Sequence, residues 1–254
     1  MNEEVEKITP YGTELSKGEQ VEQMFDSIAP AYDFMNRAMT LGIDKLWRKK
    51  AVKMVARTAP KKILDVATGT GDLALTLARA IPDCMITGVD LSEGMIAVGR
   101  EKILKAGLTD RITLEAADCL ALPFQDDEFD ALTVAYGVRN FADIPAGLKE
   151  MNRVIRPGGM VCIIELSTPV NPIIKPFYRL YTRGIIPLLG RMISKDTRAY
   201  TYLPESIEAV PQREKMLRLM EQAGFSTTAF RPLTFGVCTI YTGIKTPSKP
   251  TSAK

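Results

Sequence analysis

Five short runs of β-branched and aliphatic residues, Ile63 to Ala67, Met85 to Asp90, Ile112 to Ala117, Ala131 to Tyr136 and Met160 to Leu166, alternate with helical patterns. The helices begin near Asp72, Gly94 and Ile144, with a further one near Gln212 after the fifth run. Strands separated by helices must cross over from one to the next. That predicts parallel strands, right-handed connections and helices on both faces of the sheet. Arg156-Pro-Gly-Gly159 reads as a turn delivering the chain into the fifth strand. Ser226 to Pro232 and Val237 to Lys245 lie so close together that they predict a hairpin, making one closing strand antiparallel. The fold class is therefore α/β, a Rossmann-like, mostly parallel sheet.

Outside this alternation the chain divides by composition. Residues 1–19 are a polar segment, and residues 20–53 carry apolar positions at partly helical spacing, a helical cap of two or three helices. The alternation stops again over 167–211, an insertion rich in Ile, Leu, Phe and Tyr that reads either as a substrate lid or as a peripheral helical pair. Residues 20–245 form a single domain, and the tail from Thr246 to Lys254 reads as disordered.

Several function classes fall away. The 254 residues include no histidine, which excludes an imidazole base, a Ser-His-Asp triad and a His-ligated metal. The four cysteines are far apart with no CxxC spacing, so they read as reduced and buried rather than as a zinc site or disulfide framework. A net charge of +3, spread over both signs, predicts no nucleic-acid partner. No apolar run approaches the roughly 20 residues of a membrane-spanning helix, and the acidic start lacks the features of a secretory signal. The expected compartment is the cytoplasm.

The segment Ile63-Leu-Asp-Val-Ala-Thr-Gly-Thr-Gly-Asp72 is a buried strand, a glycine turn and a helix start, the arrangement that lets backbone approach a nucleotide-like ligand. Gly69-Thr-Gly71-Asp-Leu-Ala74 also fits a degenerate dinucleotide fingerprint. A pyrophosphate there would meet Asp72, and two such charges at about 4 Å repel by roughly 4 kcal/mol at an effective dielectric near 20. A ligand carrying a sulfonium and an ammonium would instead gain from Asp65 and Asp72, so S-adenosylmethionine is the expected cofactor. Asp90, ending the second strand, is placed to accept the ribose hydroxyls. Asp118, ending the third, is placed to accept the adenine amine, with the Cys119 amide donating to the ring. The glycine turn with two acids ending successive strands is more specific than any one of these.

Further blocks carry a family resemblance: Met24-Phe-Asp-Ser-Ile-Ala-Pro-Ala-Tyr-Asp33 with Asn36, Leu64 to Asp72, Ala121-Leu-Pro-Phe124, Tyr136-Gly-Val-Arg-Asn140, Arg156 to Gly159, and Tyr200-Thr-Tyr-Leu-Pro-Glu-Ser-Ile207. Over nearly its whole length the chain resembles the UbiE-type ubiquinone and menaquinone biosynthesis C-methyltransferases. The resemblance implies a class I methyltransferase sheet, S-adenosylmethionine as methyl donor and a demethylated polyprenyl quinol as acceptor, with demethylmenaquinol favoured. It carries over Gly69, Thr70, Asp90, Asp118 and Cys119 as cofactor contacts. Ala135 stands where some members have a serine. Arg139 and Asn140 follow the fourth strand on the edge facing the transferred methyl, and are the candidate catalytic pair. For Arg139 a structural ion pair is the competing role. Tyr32, Tyr200 and Tyr202 are candidate walls of the quinol site, or core aromatics. No metal is required. An isoprenoid tail implies transient peripheral contact with the inner face of a membrane, and a homodimer is compatible with the sequence. A methyltransferase for a soluble metabolite and a non-catalytic cofactor-binding scaffold are the alternatives.

Overall fold

The computed structural model describes residues 3–186 and 198–247. Seven strands form one sheet: β1 (Lys62–Val66), β2 (Met85–Asp90), β3 (Ile112–Ala116), β4 (Phe129–Ala135), β5 (Ile155–Leu166), β6 (Phe225–Leu233) and β7 (Cys238–Lys245). Their order is β3-β2-β1-β4-β5-β7-β6, and β7 alone runs against its neighbours. The predicted hairpin thus closes the sheet, as the short link between its strands requires.

Strand side chains alternate between two helical layers. Leu64, Val66, Leu132, Val134, Val161 and Ile163 share one core with Ile144, Leu148, Met151, Met216 and Met220. Their neighbours in sequence, Ile63, Ala131, Cys162 and Ile164, share the other with Trp47, Val52, Leu73, Leu77, Ile96 and Ile103. Burial on both faces explains why these strands read as nearly unbroken apolar runs. The predicted crossover helices are present as Asp72–Ala80, Glu93–Lys105, Ile144–Val154 and Glu214–Gln222.

The order in which strands are added reverses between β1 and β4, which are parallel and adjacent, with Val66 opposite Val134. A crevice must open beyond the carboxyl ends of strands at such a reversal. The loops after β1 and β4 therefore face the same space.

Three local expectations change. The Arg156–Gly159 turn lies inside β5 rather than before it: Ile155 pairs with Phe129 but Met160 with Ala131, so the glycines bulge out of the ladder. A Cβ on Gly159 would stand 2.7 Å from the Asp130 carbonyl oxygen. The polar segment 1–19 contains a short helix, Glu3–Lys7, whose Val5 is completely buried, and the next helix, Lys17–Ile28, already starts within it. Thr246 donates its hydroxyl to the Gly224 carbonyl at 3.2 Å; the tail from 248 lies outside the described residues.

The cap consists of the helices Lys17–Ile28, Tyr32–Thr40 and Asp44–Ala56. Ser16 opens the first with a reciprocal capping box to Glu19. Within the insertion, helices Ile174–Leu180 and Arg198–Ala209 are described, the first continuing through a π-turn to Ile185.

Candidate functional site

The loop leaving β1 turns through left-handed backbone at Gly69 (φ 54°) and Gly71 (φ 75°), which only glycine adopts freely. Ala67 (φ 51°), after β1, and Tyr136 (φ 61°), after β4, adopt it at a cost of about 1–3 kcal/mol each. Their two loops touch closely: a Cβ on Gly137 would lie 2.5 Å from that of Ala67. Asp65 pins this arrangement from below. Its carboxylate accepts the hydroxyls of Thr68 (2.7 Å) and Thr133 (2.6 Å), the latter its register partner on β4. Burial pushes its pKa up to about 6, against the two hydroxyl hydrogen bonds.

The first cleft, ≈ 810 Å³, opens over the ends of β1, β2 and β4. It brings together Gly69, Asp90, Asp118, Cys119 and Asn140 of the predicted site residues. Asp90 accepts one backbone N–H on each oxygen, Gly69 at 2.8 Å and Ser92 at 3.0 Å, which aims the carboxylate while leaving each oxygen further acceptor capacity. Burial raises its pKa above the usual carboxylate range. Asp118 folds back to the Leu120 amide at 2.9 Å, and burial likewise pushes the Cys119 thiol up. Among the described residues lining the cleft, Glu22, Asp90 and Asp118 are acidic and none is basic. Such a lining suits a cationic ligand with hydroxyl and amine donors and opposes a pyrophosphate. It fits S-adenosylmethionine.

Thr70 is placed differently. Its side chain is buried behind the loop, donating to Asp33 at 2.6 Å and accepting from Lys102 at 3.0 Å. Lys102 also pairs with Asp72 at 2.5 Å, and Arg48 meets Asp72 at 3.1 Å and pairs closely with Asp44. Asp72 is thus already offset by cations, which hold its carboxyl below the usual range despite burial. Its expected charge contribution to the ligand passes to the acids of the cleft.

A second chamber, ≈ 980 Å³, lies on the other side of Tyr32 and Tyr136, which line both spaces. Trp47, Met39, Ile43, Leu166, Tyr178, Ile186, Leu203 and Val237 make most of its wall apolar, and the insertion supplies three of these. Its charged groups are Asp44, Arg48 and Arg139. Arg139 is buried, donating to the Tyr136 carbonyl and to Glu165 Oε1 at 2.9 Å. Glu165 Oε2 accepts the Arg139 backbone N–H at 3.2 Å. The structural ion pair therefore exists, yet Arg139 Nε and the Tyr136 hydroxyl are buried with no hydrogen-bond partner among the described residues.

Tyr202 is buried and gives its hydroxyl to Asn140 Oδ1 at 3.2 Å, and it is not among the residues that line the chamber. The side chain of Tyr200 lies outside the described residues. Sequence reasoning missed Glu165, Arg48, Asp44 and Tyr178, none of which belongs to a spaced motif. It also missed Lys17, whose buried ammonium donates to the Val5 carbonyl at 2.6 Å and the Arg139 carbonyl at 3.3 Å. Burial pushes that ammonium down to about 8.

Comparison with known proteins agrees with this geometry. The chain is 49% identical to a demethylmenaquinone methyltransferase of Bacteroides fragilis over 96% of its own length and 100% of the relative's. It is 50% identical to one of Porphyromonas gingivalis over 94% and 98%. A ubiquinone/menaquinone biosynthesis C-methyltransferase UbiE of Geobacter sulfurreducens is 47% identical over 94% and 93%. Solved structures share the fold at low identity: the cyclase SpnF superposes with a TM-score of 0.69 at 17% identity, covering 91% of this chain and 97% of that one. An S-adenosylmethionine-dependent methyltransferase from Aquifex aeolicus gives 0.56 at 17%, covering 76% and 88%. With a class I methyltransferase sheet, an acid-lined cleft at its switch point and a family model matching residues 13–245, this chain belongs to the ubiE/COQ5 methyltransferase family.

Proposed function

We propose that this enzyme transfers a methyl group from S-adenosylmethionine to a ring carbon of a demethylated polyprenyl quinol, demethylmenaquinol being the favoured acceptor. The observation that carries this reading is the pair of chambers meeting at Tyr32 and Tyr136, one acid-lined and one largely apolar. A polar cofactor and an apolar acceptor can each fill one and meet at that wall. The names of the two half-identical relatives support the naphthoquinol ring.

Gly69, Asp90, Asp118 and Cys119 hold the cofactor, Asp90 through the ribose hydroxyls, and Thr70 contributes through its backbone because its hydroxyl is engaged by Asp33. S-adenosylmethionine, when bound, supplies an electrophilic methyl on a positively charged sulfur. A quinol carbon becomes nucleophilic as its neighbouring hydroxyl gives up its proton, and once it has taken the methyl it loses its own hydrogen as a proton to water, which restores the aromatic ring. Arg139 stabilises the developing phenolate through its unpartnered Nε and orients the water that takes the proton, while Glu165 holds the guanidinium in place. Asn140, fixed by Tyr202, aligns the ring. The aromatic wall and the insertion keep bulk water from the reacting pair.

Labelled methyl transfer to reduced demethylmenaquinone and, in parallel, to a demethylated ubiquinone precursor tests the reading. Product with the naphthoquinol is expected. Activity confined to soluble acceptors, or tight cofactor binding with no transfer, would replace it with a metabolite methyltransferase or a scaffold.

The same reading places the chain transiently at a membrane surface. No helix among the described residues is long and apolar enough to cross one. Leu41, Ile173, Phe177, Leu180 and Phe235 are each about two-thirds exposed or more, on segments that also wall the chamber or adjoin them. An adjoining groove sharing Arg48 with the chamber carries Arg37, Lys45, Lys49, Lys53 and Arg79. Apolar side chains beside a cationic groove match the surface of an anionic bilayer. Flotation with anionic vesicles is expected to exceed that with zwitterionic ones. Combined Phe177→Ser and Leu180→Ser should weaken it at least roughly tenfold, since each inserted side chain contributes about 1.5–3 kcal/mol. No flotation under either condition, with or without quinol, would rule the contact out.

A further inference from the structure

The Tyr136 hydroxyl is buried without a hydrogen-bond partner among the described residues, on a side chain held in left-handed backbone at the wall of the acceptor chamber. A buried polar group left unpaired is costly and is retained where something else supplies its partner. The ring is fixed on several sides: Trp47 meets it edge-on at 6.5 Å, and the Arg48 guanidinium stands 5.9 Å from its centre. The hydroxyl therefore cannot swing away to solvent without disturbing the Trp47 and Arg48 contacts. The only other unpaired buried donor on this wall among the described residues is Arg139 Nε. A 1,4-quinol carries two ring oxygens, and two buried donors of this wall have no partner among the described residues.

We propose that Tyr136 is a substrate-positioning residue whose hydroxyl donates to the quinol oxygen remote from the reacting carbon, next to the prenylated position, while Arg139 serves the oxygen beside the reacting carbon. The inference rests on the quinol reading above. It makes Tyr136 a specificity device: a ring lacking the second oxygen leaves the hydroxyl unpaired and loses the contact, whereas a 1,4-quinol satisfies it.

The test compares wild type and Tyr136→Phe on two acceptors at saturating S-adenosylmethionine. One is the short-chain prenylated naphthoquinol, the other the prenylated naphthol that keeps only the hydroxyl adjacent to the reacting carbon. Intrinsic reactivity differs between the acceptors but cancels between the enzymes. Tyr136→Phe is expected to lower kcat/KM on the quinol about tenfold and to leave the naphthol within about twofold, corresponding to loss of one neutral hydrogen bond. Cofactor affinity should not change. The melting temperature of the free protein should hold or rise, because the deleted hydroxyl has no partner there. Equal losses on both acceptors, no loss on either, or a weakened cofactor with unchanged acceptor preference would overturn the assignment. If wild type methylates neither acceptor, it is the quinol reading that fails, and this inference falls with it; turnover of the quinol by wild type separates the two cases.

Discussion

Arg139→Ala is expected to reduce kcat on the quinol by about 10²–10³-fold while cofactor affinity stays within a few-fold, the range seen when one donor to a developing oxyanion is removed. The same substitution strands Glu165, a carboxylate only 1% exposed, whose remaining hydrogen bonds come from the backbone amides of residues 139 and 166. Breaking a buried pair in this way costs about 3–5 kcal/mol of stability. Loss of activity alone would therefore not distinguish catalysis from folding. Glu165→Gln combined with Arg139→Gln removes both charges and keeps hydrogen-bonding groups at both positions. That double variant should regain most of the melting temperature lost by Arg139→Ala and none of the turnover. If activity returns with stability, Arg139 is a strut and another group handles the phenolate. Full turnover by Arg139→Ala would exclude it from the chemistry altogether.

Asp90→Ala is expected to weaken S-adenosylmethionine binding by about 10²–10⁴-fold, read by calorimetry on the free enzyme. Two hydrogen bonds from ribose hydroxyls to a charged acceptor are worth about 1.5–3 kcal/mol each. The carboxylate also holds the amides of Gly69 and Ser92, so its removal frees the loop that shapes the cleft. Asp90→Asn retains an acceptor of similar shape and should fall between wild type and Asp90→Ala. Equal affinity in all three would show that the ligand's hydroxyls lie elsewhere. Stability should move the other way. Asp90 is held above its ordinary pKa by burial, so its charged form opposes folding near neutrality, and the free Asn variant should melt no lower than wild type.

Much of the cofactor side was legible in the chain, because its signals are local. A short apolar run in β1, glycines four and six positions after Asp65, and acids ending successive strands all act over a few residues. They predict the parallel sheet, the crevice beyond its strand ends, and the placing of Gly69, Asp90, Asp118 and Cys119 around one cleft. Absence of histidine narrowed the chemistry by composition alone. The acceptor side was not legible in the same way. Thr70 and Asp72 stand in the glycine motif, yet their side chains turn into a buried ionic cluster with Asp33, Lys102 and Arg48, which come from other helices. Arg139 was visible, but its partner Glu165 lies 26 residues away on the neighbouring strand, and only the β4–β5 register brings the two together. The second chamber is assembled from the cap, the β4 loop, the insertion and the β6–β7 link, segments spread over nearly the whole chain. By itself the sequence determined the class of sheet, the end at which a ligand binds and the chemical character of that ligand, since backbone periodicity and turn chemistry are short-range. Which charges neutralise one another, which donors stay unpaired and what shape of acceptor they await were decided only by tertiary packing, because those depend on distances between residues far apart in the chain.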